Sequence, residues 1–311
     1  MRKDILHFKL KSLIIYFARA LFLLGLGFIV LYPLMLKTAI ALRSFEDIMD
    51  SSIIFLPKNF TLKPILTSMD MMNFSVAFKN SFIIAFAGSL LHVFACTITA
   101  YSLAKFQYPF KKLLYFAVIV TFFVPPQLLS VSTYSVFRNF DVFGLFQSLS
   151  GEALNLLDNP VSLLALYATA NALKSGLYIY LLIQFFRNMP KELDEAASVD
   201  GAGLARVFVS IVLPSARIMM VTVFLFSFVW QWTDLQYTSM FFRNFQMLSL
   251  RLQLVGQTYQ LSLLQDGIMN PLLVSQIVNA GSVAFVIPLV AIYITCNKFF
   301  IQGIERSGIV G

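Results

Sequence analysis

Six long apolar runs constrain this chain more than any other feature, at about 13–36, 80–104, 113–137, 162–186, 215–240 and 279–301. A helix needs roughly 20 mostly apolar residues to cross a hydrocarbon core about 30 Å thick. Each run is long enough. Only 12% of the residues are charged and 59% are hydrophobic, against about 25% charged in a soluble domain. So little charge cannot coat a water-soluble protein of this length. The predicted fold class is all-α, a polytopic membrane protein with six transmembrane helices.

An even number of spans puts both ends on one side, and Lys and Arg say which. With the termini inside, the inner segments (1–19, 105–112, 187–217, 298–311) hold 14 of the 23 basic residues. The longer outer segments (37–79, 138–160, 241–278) hold 8, and Lys174 falls within a span. The positive-inside rule therefore predicts cytoplasmic termini. The net charge of +8 is read as orientation in lipid, with no nucleic-acid partner. Arg2, Lys3, Lys9 and Lys11 precede an apolar run to about Leu36 without a small-x-small cleavage site, so that run is expected to be an uncleaved first helix. The predicted layout is a first segment and helix at 1–36 and an outer loop at 37–79. A core of five helices follows at 80–301, with a cytoplasmic loop at 188–214, and then a tail at 302–311.

Catalytic and metal chemistry lack their parts. Cys96 and Cys296 sit in apolar runs without Cys or His at ligand spacing, so neither a disulfide framework nor a metal site is expected. The two histidines, His7 and His92, are far apart, and there is no His-Glu-x-x-His, Gly-x-Ser-x-Gly or phosphate-binding Gly-x-x-x-x-Gly-Lys-Ser/Thr. No catalytic residue is assigned. A secondary transporter would show internal repeats and more charge within its spans.

The inner loop has its own pattern. Pro190 suits a first helical turn, and Glu192, Asp194 and Glu195 fall near the positive end of the dipole. Leu193, Ala196 and Ala197 form a narrow face of small residues at helical spacing. Asp200-Gly201 interrupts, and a second helix is expected from about Ala202 until Pro214 opens the next span. A lipid-resting helix would carry large apolar residues flanked by Lys or Arg; small ones favour a protein partner.

Glu195-Ala196-Ala197, then Gly201, then Ile211-Val-Leu213-Pro214 resembles the EAA loop of ABC-importer permeases at the family's spacing. Further segments are similar to the carbohydrate subgroup: Phe55-Leu-Pro-Lys-Asn-Phe-Thr61, Asn80-Ser81, Ala100-Tyr-Ser-Leu-Ala-Lys-Phe106, Gln184 to Leu193 and Phe300-Ile-Gln-Gly303. Together they look like the "G" partner of a maltose-type pair. The resemblance implies the type I importer permease fold in a bacterial inner membrane, multi-pass in lipid. It also implies a second homologous permease, two cytoplasmic ATPase subunits that hold ATP and Mg, and an extracytoplasmic solute-binding protein. This chain binds no cofactor in that scheme. Glu195, Ala196, Ala197, Asp200, Gly201, Leu213 and Pro214 would couple ATPase closure to alternating access, importing a carbohydrate, expected to be an oligosaccharide. A permease for a non-sugar solute, such as a polyamine or a phosphate-linked compound, is the alternative.

The chain departs from the family at Ile218 and Ala205, where a proline and an aromatic are common, and at Trp232-Thr233-Asp234, where Asn is usual in the middle. Polar and aromatic residues within spans are the candidates for the solute path, because such groups are costly in lipid and face the bundle interior. These are Trp230, Gln231, Trp232 and Asp234 in the fifth run, Gln127 after Pro125-Pro126 in the third, and Lys174 in the fourth. A mid-span Lys costs roughly 2.5–3.5 kcal/mol. Three readings of Lys174 stand: attraction of an anionic sugar such as a uronate, an ion pair with Asp234, or a water-filled cavity. By the helical rise, Lys174 lies about 18 Å and Asp234 about 28 Å from the inner ends of their spans, which makes pairing awkward.

Overall fold

The computed structural model describes residues 2–190 and 203–306, and every regular element among them is helical. The chain divides into two compact units, 1–72 with 254–286 and 73–253 with 287–311. Four described helices are long and apolar enough to cross a membrane: Ser12–Ala41, Phe74–Lys105, Leu204–Trp232 and Pro271–Lys298. The other two of the six expected spans, at 113–137 and 162–186, are each broken into shorter helices.

The first unit opens with α1 (Arg2–Ala41), whose apolar stretch is exposed on all sides. A short helix, α2 (Phe45–Met49), follows, capped by Ser44 Oγ accepting from the Asp47 amide at 3.2 Å. The buried Asp47 carboxylate accepts from the Asn59 amide at 2.8 Å. The segment then leads into α3 (Lys63–Met71). The start of the last helix of the chain closes this unit. Gln276 Nε2 donates to the Arg43 carbonyl at 2.7 Å, and Lys37 Nζ donates to Asn279 Oδ1 at 3.2 Å.

The second unit is organised around α4 (Phe74–Lys105). One face of α4 carries Ala77, Ser81, Ala85, Gly88, His92, Cys96 and Ala100, all buried and three or four residues apart. Small residues at that interval let neighbouring backbones approach where lipid supplies no hydrophobic drive between helices. Against this face pack α8 (Pro160–Ala168), α9 (Ser175–Arg187) and α10 (Leu204–Trp232). Beside it runs an aromatic ladder: Phe78 meets Trp232, Phe82 meets Phe228 and Phe86 meets Phe224, with centroids 5.7, 6.0 and 5.5 Å apart. Four residues forward on α4 matches four backward on α10, so the two helices run antiparallel.

The interruptions have local causes. In the third run α5 (Lys111–Val120) stops, the chain turns through Thr121–Pro125, and a 3₁₀ turn (Pro126–Leu129) leads into α6 (Ser130–Arg138). Pro126 has no N–H to donate and drives Pro125 to ψ 134°, out of the helical region. In the fourth run α8 and α9 are separated by Thr169–Lys174, with Ala170 and Lys174 at positive φ of 53° and 65°. The remaining elements of this unit are α7 (Leu145–Ser150), α11 (Gln236–Phe241) and α12 (Leu248–Gln265) up to residue 253; α13 (Pro271–Arg306) ends in it.

The fifth run also differs from expectation. Its helix does not begin at Pro214 but runs on from Leu204, with Gly203 as its N-cap. A π-helical turn at Phe208–Val212 lies just before Leu213-Pro214. Such a turn accommodates the proline ring and its missing donor without ending the helix.

Candidate solute path at the helix breaks

The two broken runs meet. Gly176, in the first turn of α9, is buried against the end of α5: a Cβ there would lie 2.1 Å from Thr121 Oγ1 and 2.8 Å from the Phe122 ring. The Phe122 and Tyr180 rings lie 5.9 Å apart, edge to face. Non-helical backbone at membrane depth is tolerated only where protein buries it or where it lines a water-filled cavity. In transporters, discontinuous helices of this kind frame solute sites near mid-membrane.

A buried polar chain crosses this region. Gln231 Nε2 donates to Ser227 Oγ at 2.7 Å, and Ser227 Oγ lies 2.9 Å from His92 Nδ1. On the other side of the ring, His92 Nε2 lies 2.7 Å from Ser175 Oγ, which donates to the Ala172 carbonyl at 2.7 Å. With Ser175 giving its proton to Ala172, it accepts from Nε2–H, and Nδ1 accepts from Ser227. His92 thus ties α4 to α9 and α10. In the sequence His92 stands out only by its distance from His7, the other histidine. Its hydroxyl partners lie 83 and 135 residues away in the chain.

The sequence candidates fall into two groups. Trp232 is 1% exposed and stacked on Phe228 within the aromatic ladder. Gln231 is buried in the polar chain. Asp234, also buried, accepts from the Tyr237 and Thr238 amides at 3.3 and 3.1 Å and so caps α11. Trp230, 42% exposed, Lys174 and Gln127 face outward. Of these, the structure brings together Lys174 and Trp230: Lys174 Nζ sits 4.8 Å from the centre of the indole ring. The ion pair with Asp234 does not form, because that carboxylate is turned to the start of α11. Gln127 lies apart on the 3₁₀ turn. Of the residues expected from the resemblance to couple, Leu213 is half-buried and Pro214 exposed on α10, while Glu195, Ala196, Ala197, Asp200 and Gly201 lie outside the described residues.

Comparison with known proteins gives this architecture its context. Across 222 residues the chain is 24% identical to a probable ABC transporter permease protein of Pyrococcus horikoshii, covering 71% of this chain and 74% of that one. Across 162 residues it is 32% identical to the sn-glycerol-3-phosphate transport system permease protein UgpE of Yersinia pestis, covering 52% of this chain and only 50% of that one. Its fold is similar to a chain in the crystal structure of a bacterial ABC transporter involved in the import of the acidic polysaccharide alginate. The TM-score is 0.67 and the identity 19%, over 92% of this chain and 96% of the other. Residues 96–306 match the family model described as binding-protein-dependent transport system inner membrane component. Two-thirds of the sequence carries that match, and the chain belongs to this family of inner-membrane transport components.

Proposed function

We propose that this chain is one of two permease subunits of an ATP-driven importer for a carbohydrate-class solute, with six crossings, two of them by interrupted helices, and cytoplasmic termini. The chain itself is a transport subunit and not an enzyme. In this reading ATP and Mg belong to two cytoplasmic ATPases, and an extracytoplasmic binding protein delivers the solute to a pathway shared with a second permease. The observation that carries it is the continuity of α10. One uninterrupted helix of 29 residues runs from Leu204, directly after the coupling segment, to Trp230 and Gln231 beside the helix breaks. Displacement of its inner end by a closing ATPase pair would reach the His92 network and the solute path together. Glu195, Ala196, Ala197, Asp200 and Gly201 would dock on the motor, with Leu213-Pro214 passing the motion on.

The test uses the complete complex reconstituted in liposomes. Ala197→Glu is expected to abolish ATP-driven uptake and to release the ATPase on co-purification, while the chain still inserts in the membrane. Normal ATPase docking and uptake in that variant would overturn the coupling assignment. The name of UgpE keeps a phosphate-linked solute open as the alternative to an oligosaccharide, and ligand screening of the co-purified binding protein decides between them.

A further inference from the structure

Lys174 is placed at a cost that its own fold does not repay. It lies in the gap between α8 and α9, thirteen residues from the inner end of α9 and therefore about 20 Å up a span that is about 30 Å deep. No carboxylate among the described residues pairs with it. Its backbone is left-handed, at φ 65°, a region where a residue with a Cβ is uncommon. What Lys174 does have is the face of Trp230, and both side chains are exposed on the outside of the unit. The ammonium keeps its N–H donors free for a further acceptor, because a ring face occupies it without an oxygen.

We propose that Lys174 and Trp230 form a subsite for a polyhydroxylated solute that carries an acidic group, a carboxylate or a phosphate. This rests on the importer reading above and names the solute class for the same path. The acidic group meets the ammonium, which is strengthened by the positive end of α9 starting at Ser175. The uncovered part of the indole takes the apolar C–H face of the sugar or polyol. Lys174 is a mobile point charge whose contact with Trp230 can be exchanged for one with a passing anion, which suits a path that must bind and release.

The experiment compares three probes with the complete importer in liposomes: glycerol 3-phosphate, a tri-uronate and a neutral trisaccharide. Lys174→Met is expected to lower uptake of whichever acidic probe is carried by about tenfold, and Lys174→Arg by less than about threefold, as loss or retention of one charge-assisted contact dictates. Trp230→Ala follows Lys174→Met, Trp230→Phe is milder, and neutral uptake in Lys174→Met falls by less than about twofold on the same grounds. The response of the two acidic probes separates phosphate from carboxylate recognition. Equal loss for acidic and neutral probes marks a structural role and overturns the subsite. So does rescue of Lys174→Met by neutralising a carboxylate on the second permease, which would mean an ion pair between subunits. Uptake of the neutral probe alone by the unaltered complex also overturns the subsite, leaving the importer intact. Absence of any ATP-driven uptake overturns both.

Discussion

The Tyr167 ring lies directly over Gly88: a methyl group on Gly88 would come within 2.2 Å of Tyr167 Cδ2 and 2.6 Å of Gln231 Oε1. Side chains of α8 and α10 therefore converge on one hydrogen atom of α4. The close approach also holds the polar chain together: Gln231 and Ser227 lie four residues apart on α10, and Ser227 can reach His92 only while α10 stays this near to α4.

Gly88→Ala should consequently separate the helices and not merely crowd them. Overpacking of this kind costs about 1–3 kcal/mol. The expected outcome is a lower melting temperature for the detergent-solubilised protein, with a larger fall for Gly88→Val. An unchanged melting temperature for Gly88→Val would show that the three helices do not meet at this spacing.

His92 answers to a different experiment. Replacing it with Leu removes one of the two hydrogen bonds at each buried hydroxyl, leaving Ser175 its Ala172 carbonyl and Ser227 its Gln231 amide. Each lost bond costs about 0.5–1.5 kcal/mol. In a double-mutant cycle, His92→Leu and Ser227→Ala should be less than additive by at least about 0.5 kcal/mol, because they break one shared contact. Strict additivity in thermal melts would remove the bond.

How far these contacts could be anticipated depends on their range. Four spans were readable because apolar residues run without interruption and length decides the matter. The break after Val120 was readable in principle from Pro125-Pro126, two residues that bar a continuous helix. The break before Ser175 was signalled only by the cost of Lys174, and its cause, a positive φ at Ala170 and Lys174, has no residue signature in an Ala and a Lys. Trp232 and Trp230 look alike in sequence, two residues apart. Helical geometry turns the first into the α4 ladder and the second outward, and which face is inward depends on α4, more than a hundred residues earlier. The EAA-like segment is recognisable by spacing alone, and Glu195, Ala196, Ala197, Asp200 and Gly201 lie outside the described residues.

The segment before α8 carries a pH-dependent tie. Asp158 accepts from the amides of Arg243, Asn244 and Phe245 at 3.1, 3.0 and 2.8 Å. Partial desolvation works to raise its pKa, but these three donors outweigh it and hold the carboxyl below its ordinary value. A depressed folded-state pKa stabilises above the unfolded pKa of about 3.9 and loses that contribution as pH falls through the folded value. Amide protection at 243–245 should thus be constant from neutral pH down to about 4 and drop below it. Asp158→Asn should weaken protection at pH 7 by about 1 kcal/mol or less, since solvent screens the site, and should match the parent once the parent is protonated. Equal protection of parent and variant at pH 7 would dismiss the tie.

The two tryptophans give the most direct check on the solute path, because they are the only two in the chain. Trp230→Phe and Trp232→Phe each leave a single emitter. Trp230, 42% exposed and under the Lys174 ammonium, should be quenched by a polar quencher or by a brominated lipid, whichever its exposed side meets. Trp232, 1% exposed between Phe78 and Phe228, should resist both. The same contrast applies to stability. Trp232→Ala removes a rung of the ladder and should cost about 3 kcal/mol or more, as large truncations in packed cores do, whereas Trp230→Ala should cost well under half of that in the isolated subunit. If quenching reached Trp232 as readily as Trp230, α10 would be rotated from the orientation described, and Lys174 would lose the aromatic partner on which its role depends.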